Sequence, residues 1–204
     1  MSVGEALLIV LAYLGGSLPF GYWAGRLAGV DVRKLGSGNT GATNVWRVLG
    51  RRVGIPVLLL DMAKGLVPAL VGDAMFGPGV AIVAGSAAVL GHTFPILLGF
   101  GGGKGVATTG GVVFAITPIH ATVLVVFLVI VLWLFRYVSL ASMLTATAYP
   151  ASSLATGEPW PVVLFGVIAA VGIVARHRTN IRRLLDGTET KARGFGRGAR
   201  AGMT

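Results

Sequence analysis

The 204-residue chain is 54% hydrophobic and only 12% charged, about half the charged share of a soluble domain, and its mean hydropathy is +0.82. A chain this short cannot fold so much apolar surface inward, which excludes a soluble globular protein and makes lipid the solvent for most of it. The net charge of +10, from 17 Lys and Arg against 7 Asp and Glu, points to anionic lipid headgroups and phosphorylated substrates and not to nucleic acid, because no base-reading motif is present and the basic residues lie between apolar runs.

Met1-Ser2-Val3-Gly4-Glu5 lacks the positive n-region of a signal peptide, so the first apolar stretch, about 6–23, reads as a retained span. Residues 24–53 read as the only long loop. Further apolar stretches fall at about 54–72, 78–98, 106–117, 119–135, 139–156 and 161–176. The stretch 106–117 is too short to cross untilted, and Thr117-Pro118 separates it from the next, since Pro breaks or kinks a helix. With seven spans, one set of loops holds Arg26, Arg33, Lys34, Arg47, Arg51, Arg52, Lys104, Arg136 and the basic segment from Arg176, while the other holds Glu5, Asp73 and Glu158. The positive-inside rule then places the N-terminus outside and the C-terminus in the cytoplasm. Fusing 106–135 into one span exports the basic tail; a re-entrant 106–117 also changes the parity and stays open. The expectation is an all-α polytopic membrane protein of about seven transmembrane helices, one of them short. A single membrane-embedded domain covers 1–189, and 190–204 is a basic, disordered cytoplasmic tail. No internal repeat is visible, which weighs against an inverted-repeat transporter.

Three polar clusters fall on the basic side. The first runs from Gly36-Ser37-Gly38-Asn39-Thr40-Gly41 through Ala42-Thr43-Asn44 to Arg47. Its glycines let successive backbone N–H groups converge into an anion-binding nest, its small hydroxyls and amides add neutral hydrogen-bonding groups, and Arg47 adds a planar fork suited to phosphate. Gly36, Gly38 and Gly41 also match G-x-G-x-x-G, with Asp61 lying 20 residues beyond. A span precedes them instead of a sheet strand, so the dinucleotide reading fails.

The second, Gly101-Gly102-Gly103-Lys104-Gly105-Val106-Ala107-Thr108, opens the short helix at 106–117, whose N-terminal N–H groups and dipole favour an anion; the alternative is a Gly-rich hinge between tightly packed helices. It is not a Walker A loop, because Gly105 follows the Lys where Ser or Thr is required. The third, His177-Arg178-Thr179-Asn180 to Glu189, follows the last span; a stop signal explains its arginines but not His177, Asn180 and Glu189, and a helix there puts His177 and Asn180 on one face. Inside the spans, Asp61 and Lys64 stand at i, i+3 and form either a functional site or a structural ion pair. His92 is a base or, more in keeping with its place, a helix-to-helix hydrogen bond. His120, beside Pro118, reads as bland.

Together with Asp61-Met62-Ala63-Lys64-Gly65 and Gly91-His92-Thr93-Phe94-Pro95, these clusters give five motifs in one order, and the chain resembles the bacterial acyl-phosphate:glycerol-3-phosphate acyltransferases of the PlsY type nearly end to end. The resemblance implies a seven-span fold in the bacterial inner membrane with its active site facing the cytoplasm. It implies transfer of a fatty acyl group from acyl phosphate to the 1-hydroxyl of glycerol 3-phosphate, giving lysophosphatidic acid and phosphate for phospholipid synthesis. It implies that Ser37, Arg47, His177 and Asn180 are needed for activity and that Glu189 maintains structure. The candidate substrate-binding residues are Gly36, Gly38, Asn39, Gly41, Thr43 and Asn44 of the first motif, Asp61, Lys64 and His92 in the spans, and Gly101, Gly102, Gly103, Lys104 and Thr108 of the second.

Acyl phosphate is a mixed anhydride with a good leaving group, so positioning and charge stabilisation are the main tasks. The hydroxyl proton goes to a substrate phosphate oxygen in the preferred route, with His177 or His92 as the protein-borne alternatives. Ser37 has no evident base partner, which disfavours an acyl-enzyme. No His begins the H-x4-D motif of soluble-type acyltransferases, and no cofactor or metal is expected. The expected partners are the two substrates, membrane lipids and, as a candidate, the enzyme supplying acyl phosphate. A phosphorylated-solute transporter and a lipid-bound structural protein are the rival classes.

Overall fold

The computed structural model describes residues 1–192; the rest of the basic segment expected to be disordered, 193–204, lies outside the described residues. Those described contain ten α-helices, two short 3-10 turns and no strand. The chain divides into two compact units, Met1–Pro118 and Ile119–Thr204.

The first unit holds α1 (Val3–Gly16), α2 (Phe20–Leu27), α3 (Ala42–Leu49), α4 (Arg51–Phe76), α5 (Pro78–Thr93) and α6 (Val106–Ile116). Ser2 and Glu5 start α1 with a capping box, each side chain bonding the other's backbone N–H. At 26 residues α4 is about 39 Å long at 1.5 Å per residue, more than the hydrocarbon thickness. It packs on α3, α5 and α6, and α1 packs on α5. Small residues make these approaches close, as in lipid, where no hydrophobic force drives helices together. Gly65 lies against Thr108, Gly111 against Met62, and Gly16 against Ala88, each so near that a Cβ would strike backbone.

The second unit holds α7 (Pro118–Phe135), α8 (Val138–Ala155), α9 (Trp160–Arg176) and α10 (Arg178–Leu185). Arg136 turns the chain between α7 and α8 at φ +64°, and its carbonyl accepts the Ala192 N–H at 2.7 Å. His120 has the bland role read from sequence: its ring lies 3.5 Å from Glu158 and 3.0 Å from Thr156 Oγ1, tying the start of α7 to the α8–α9 turn.

Every apolar stretch of the sequence contains an α-helix. Among the described residues Val3–Leu27, Arg51–Phe76, Pro78–Leu98 and Pro118–Phe135 are long and apolar enough to cross a membrane; α9 with α10, bent by 60°, makes a fifth if taken as one span. The 11-residue α6 is apolar but short, and it ends at the Thr117-Pro118 break as expected.

The structure refines two sequence expectations. The first stretch, 6–23, falls within the candidate span Val3–Leu27, but its helix breaks over 17–19 between α1 and α2. Pro19 supplies no N–H and disfavours helical backbone at Leu18. Residues 24–53 are not simply a loop, because they contain the end of α2, a 3-10 turn at Val32–Lys34 and α3. Val32, Val45 and Val57 form a small core beneath this segment. Near its start Asp31 bonds Arg33 at 2.8 Å; that guanidinium, stacked over Tyr22, holds the Asp31 carboxyl down to about 2.

Candidate active site

On α4, Asp61 and Lys64 fall on one face, and their charged ends meet at 2.8 Å with side chains only 3% and 6% exposed. A buried ion pair must satisfy its remaining hydrogen-bonding capacity to offset desolvation. Lys64 Nζ does so by donating to the Leu18 carbonyl at 3.1 Å, in the α1–α2 break, while lying over the Phe20 ring. Asp61 does so through His92 of α5, whose Nδ1 lies 3.5 Å away. Asp61, Lys64 and His92 therefore join α4, α5 and the α1–α2 break.

A narrow cleft with room for about one water molecule lies over this group, lined by residues 16–21 at the break, Thr40 of the first motif, Asp61, Lys64, His92, Pro95 and Leu98. Ser37, Arg47 and Lys104 lie outside that lining. Sequence reasoning named Thr40 among the hydrogen-bonding groups of the first motif but missed Ser17 and Leu18 as lining residues; the usable signal was Pro19 inside an apolar run that otherwise reads as one helix.

The second motif crosses beside His92. The N–H of Gly103 donates to the His92 carbonyl at 3.1 Å and that of Gly102 to the Thr93 carbonyl at 3.2 Å. These two N–H groups are thus spent on the chain, which leaves the α6 N-terminus and Lys104 as the anion-favouring parts of this motif. Gly103 abuts the Nε2 edge of the His92 ring, and Gly102 abuts the His92 carbonyl and Pro95. Gly101 is exposed, Lys104 half-buried, and Gly105 caps α6 at φ +83°. Thr108 and Thr109, in the first turns of α6, are buried, and neither hydroxyl has a partner among the described residues.

The first motif is organised by Asn44, which is 1% exposed. Its Nδ2 donates to the carbonyls of Val32, Leu35 and Asn39 at 3.0, 3.1 and 2.8 Å, and its Oδ1 accepts the Ser37 N–H at 2.8 Å. An amide that saturated shapes the loop. Asn39 is similarly engaged, accepting the Gly41 N–H at 2.8 Å in an Asx turn. Gly36 has φ +59° and packs on Asn44 Oδ1, and Gly38 has φ +72°. Around this scaffold Ser37 is half-buried, while Thr43 and Arg47 are exposed on α3.

In the second unit His177 sits at the bend between α9 and α10, so it does not share a regular helix face with Asn180. Both are buried nonetheless. His177 Nδ1 lies 2.8 Å from the Ile173 carbonyl, which only accepts, so that nitrogen carries the proton. Glu189 Oε1 accepts from Ser139 Oγ and Asn180 Nδ2, each at 2.6 Å, and Oε2 accepts from Arg183 Nε at 2.8 Å. Burial opposes its ionisation, but those three donors outweigh it and hold the carboxyl below its ordinary value. Ser139 carried no signal in sequence, being one hydroxyl at the start of an apolar run.

The family profile described as glycerol-3-phosphate acyltransferase matches residues 6–187, across both units. The chain belongs to this family. Among glycerol-3-phosphate acyltransferases, that of Syntrophomonas wolfei is 43% identical over 92% of this chain and 96% of its own. That of Aquifex aeolicus is 46% identical over 89% and 96%. The crystal structure of PlsY (YgiH), an integral membrane glycerol 3-phosphate acyltransferase, in its glycerol 3-phosphate form superposes with a TM-score of 0.89 at 44% identity, covering 92% of this chain and 95% of that one. Its lysophosphatidic acid form gives 0.86 at 43% identity with the same coverage. The likeness makes this family member an all-helical, multi-pass membrane protein.

Proposed function

We propose that this protein transfers a fatty acyl group from acyl phosphate to the 1-hydroxyl of glycerol 3-phosphate, releasing lysophosphatidic acid and inorganic phosphate for phospholipid synthesis. The observation that carries the reading is the pocket at which three of the five motifs converge, through Thr40, through Asp61 with Lys64, and through His92 with Pro95. The family membership and the ligands bound to the solved PlsY agree with it.

In this reaction the glycerol oxygen attacks the acyl carbon, the bond from that carbon to the phosphate oxygen breaks, and the hydroxyl proton passes to a phosphate oxygen of the substrates. Phosphate is already a good leaving group, so the protein's work is to hold two anions with their reacting ends together. Arg47 supplies a planar fork and Lys104 a point charge. The α6 N-terminus adds its dipole and the Thr108 hydroxyl. Ser37 donates a hydrogen bond and forms no acyl-enzyme. His177 and Asn180 are further residues needed for activity, and Glu189 holds Asn180 in place. No cofactor or metal takes part. The acyl chain enters from the bilayer between helices.

The site faces the cytoplasm at the bacterial inner membrane, with the N-terminus outside. The loops on one side hold the Lys and Arg residues, and those on the other hold Glu5, Asp73 and Glu158. Purified protein given palmitoyl phosphate and glycerol 3-phosphate should release phosphate and should not use palmitoyl-CoA. Equal use of palmitoyl-CoA would overturn the proposed donor. Trapping of palmitate on Ser37, compared among wild type, Ser37→Ala and Ser37→Cys, would overturn direct transfer.

A further inference from the structure

We infer that His92, oriented by Asp61, is a positioning residue that sets the glycine strap carrying Lys104, and that its ring is the reason position 103 must be glycine. The inference rests on the glycerol 3-phosphate reading above, to which it adds a positioning role for His92 and Asp61. One edge of the imidazole faces Asp61, at 3.5 Å from Nδ1. The opposite edge, at Nε2, is where a Cβ on residue 103 would fall, and its three nearest atoms all belong to this ring. The His92 carbonyl also accepts the Gly103 N–H at 3.1 Å. The ring and the strap thus meet through side chain and backbone at the residue just before Lys104. Asp61 is itself fixed by Lys64, which is anchored on the Leu18 carbonyl. A displacement of the ring must then move the strap, and Lys104 with it.

Asp61→Asn strips the partner from a buried lysine and is prone to misfolding, so the test is a double-mutant cycle of His92→Ala and Gly103→Ala in the full-length protein. Each variant is assayed for KM towards glycerol 3-phosphate, KM towards palmitoyl phosphate, and thermal unfolding. In the wild-type background Gly103→Ala should raise KM for glycerol 3-phosphate at least about tenfold, because its methyl group displaces the ring and the strap. In the His92→Ala background, where that space is vacated, it should add less than about twofold. KM for palmitoyl phosphate should not follow this pattern. Equal penalties in both backgrounds would overturn the inference, and so would a coupling seen in unfolding alone. A wild type that turns over neither substrate would instead overturn the functional reading on which the inference rests.

Discussion

Asn44 Oδ1 accepts the backbone N–H of Ser37 at 2.8 Å, across seven residues of chain. The bond fixes a serine proposed to meet substrate by means of an amide that also bonds three carbonyls of its own segment. Asn44→Asp keeps the shape but replaces the Nδ2 donor with an oxygen facing three carbonyls. It should cost about 2–3 kcal/mol of stability and lower activity by at least about tenfold. Detergent unfolding curves and initial rates check both; an Asn44→Asp enzyme with wild-type values would show that the loop does not depend on this side chain.

Glu189 joins Ser139 at the start of α8 to Asn180 and Arg183 of α10. Glu189→Gln weakens the charge-assisted bonds and turns an NH2 group towards one set of donors, so it should destabilise by about 2–3 kcal/mol. The carboxyl is held below its ordinary value of 4.5. Its contribution is therefore complete above that value and is lost as pH falls through the lower, folded-state value. Unfolding temperatures measured between pH 3 and 7 should show a steeper acid fall in wild type than in Glu189→Gln. Parallel curves would contradict this.

Arg47 is exposed on α3, so its removal should leave the fold alone. Arg47→Ala should change stability by less than about 0.5 kcal/mol while lowering kcat/KM about a hundredfold. Arg47→Lys keeps the charge but not the fork, and should recover only part of that loss. Steady-state kinetics beside a melting curve separate the two effects, and full recovery by Lys would mean that charge alone matters.

Truncation should start after residue 192, because the Ala192 N–H bonds the Arg136 carbonyl at 2.7 Å. Removing 193–204 should preserve turnover and weaken only attachment to anionic lipid, read by vesicle flotation. Loss of turnover in detergent would return weight to a regulatory or structural role for the tail.

The helices are legible in the sequence because lipid demands long apolar runs, and Thr117-Pro118 marks the end of α6 where chemistry says a helix must stop. The α1–α2 break is harder to see, since Pro19 is a single polar-backbone event in a run that hydropathy alone reads as continuous. Motif chemistry marks candidate site residues but not what each of their polar groups bonds to. Asn39, Asn44, Gly102 and Gly103 look like ligands for phosphate by composition. Their bonding shows loop-shaping amides and close-packed glycines, which depend on neighbours distant in sequence, such as Val32 and His92. Glu189 is visible as an acid out of place among arginines, but its partner Ser139 becomes visible only when the chain folds.

Acyl transfer couples two phosphate-bearing substrates in the proposed reaction, and phosphorus NMR of the purified protein in detergent follows both phosphorus atoms at once. The palmitoyl phosphate signal should convert to inorganic phosphate in step with conversion of glycerol 3-phosphate to lysophosphatidic acid, one for one, and neither should change without the other. Phosphate released without glycerol 3-phosphate, or lysophosphatidic acid formed without its equivalent of phosphate, would contradict it.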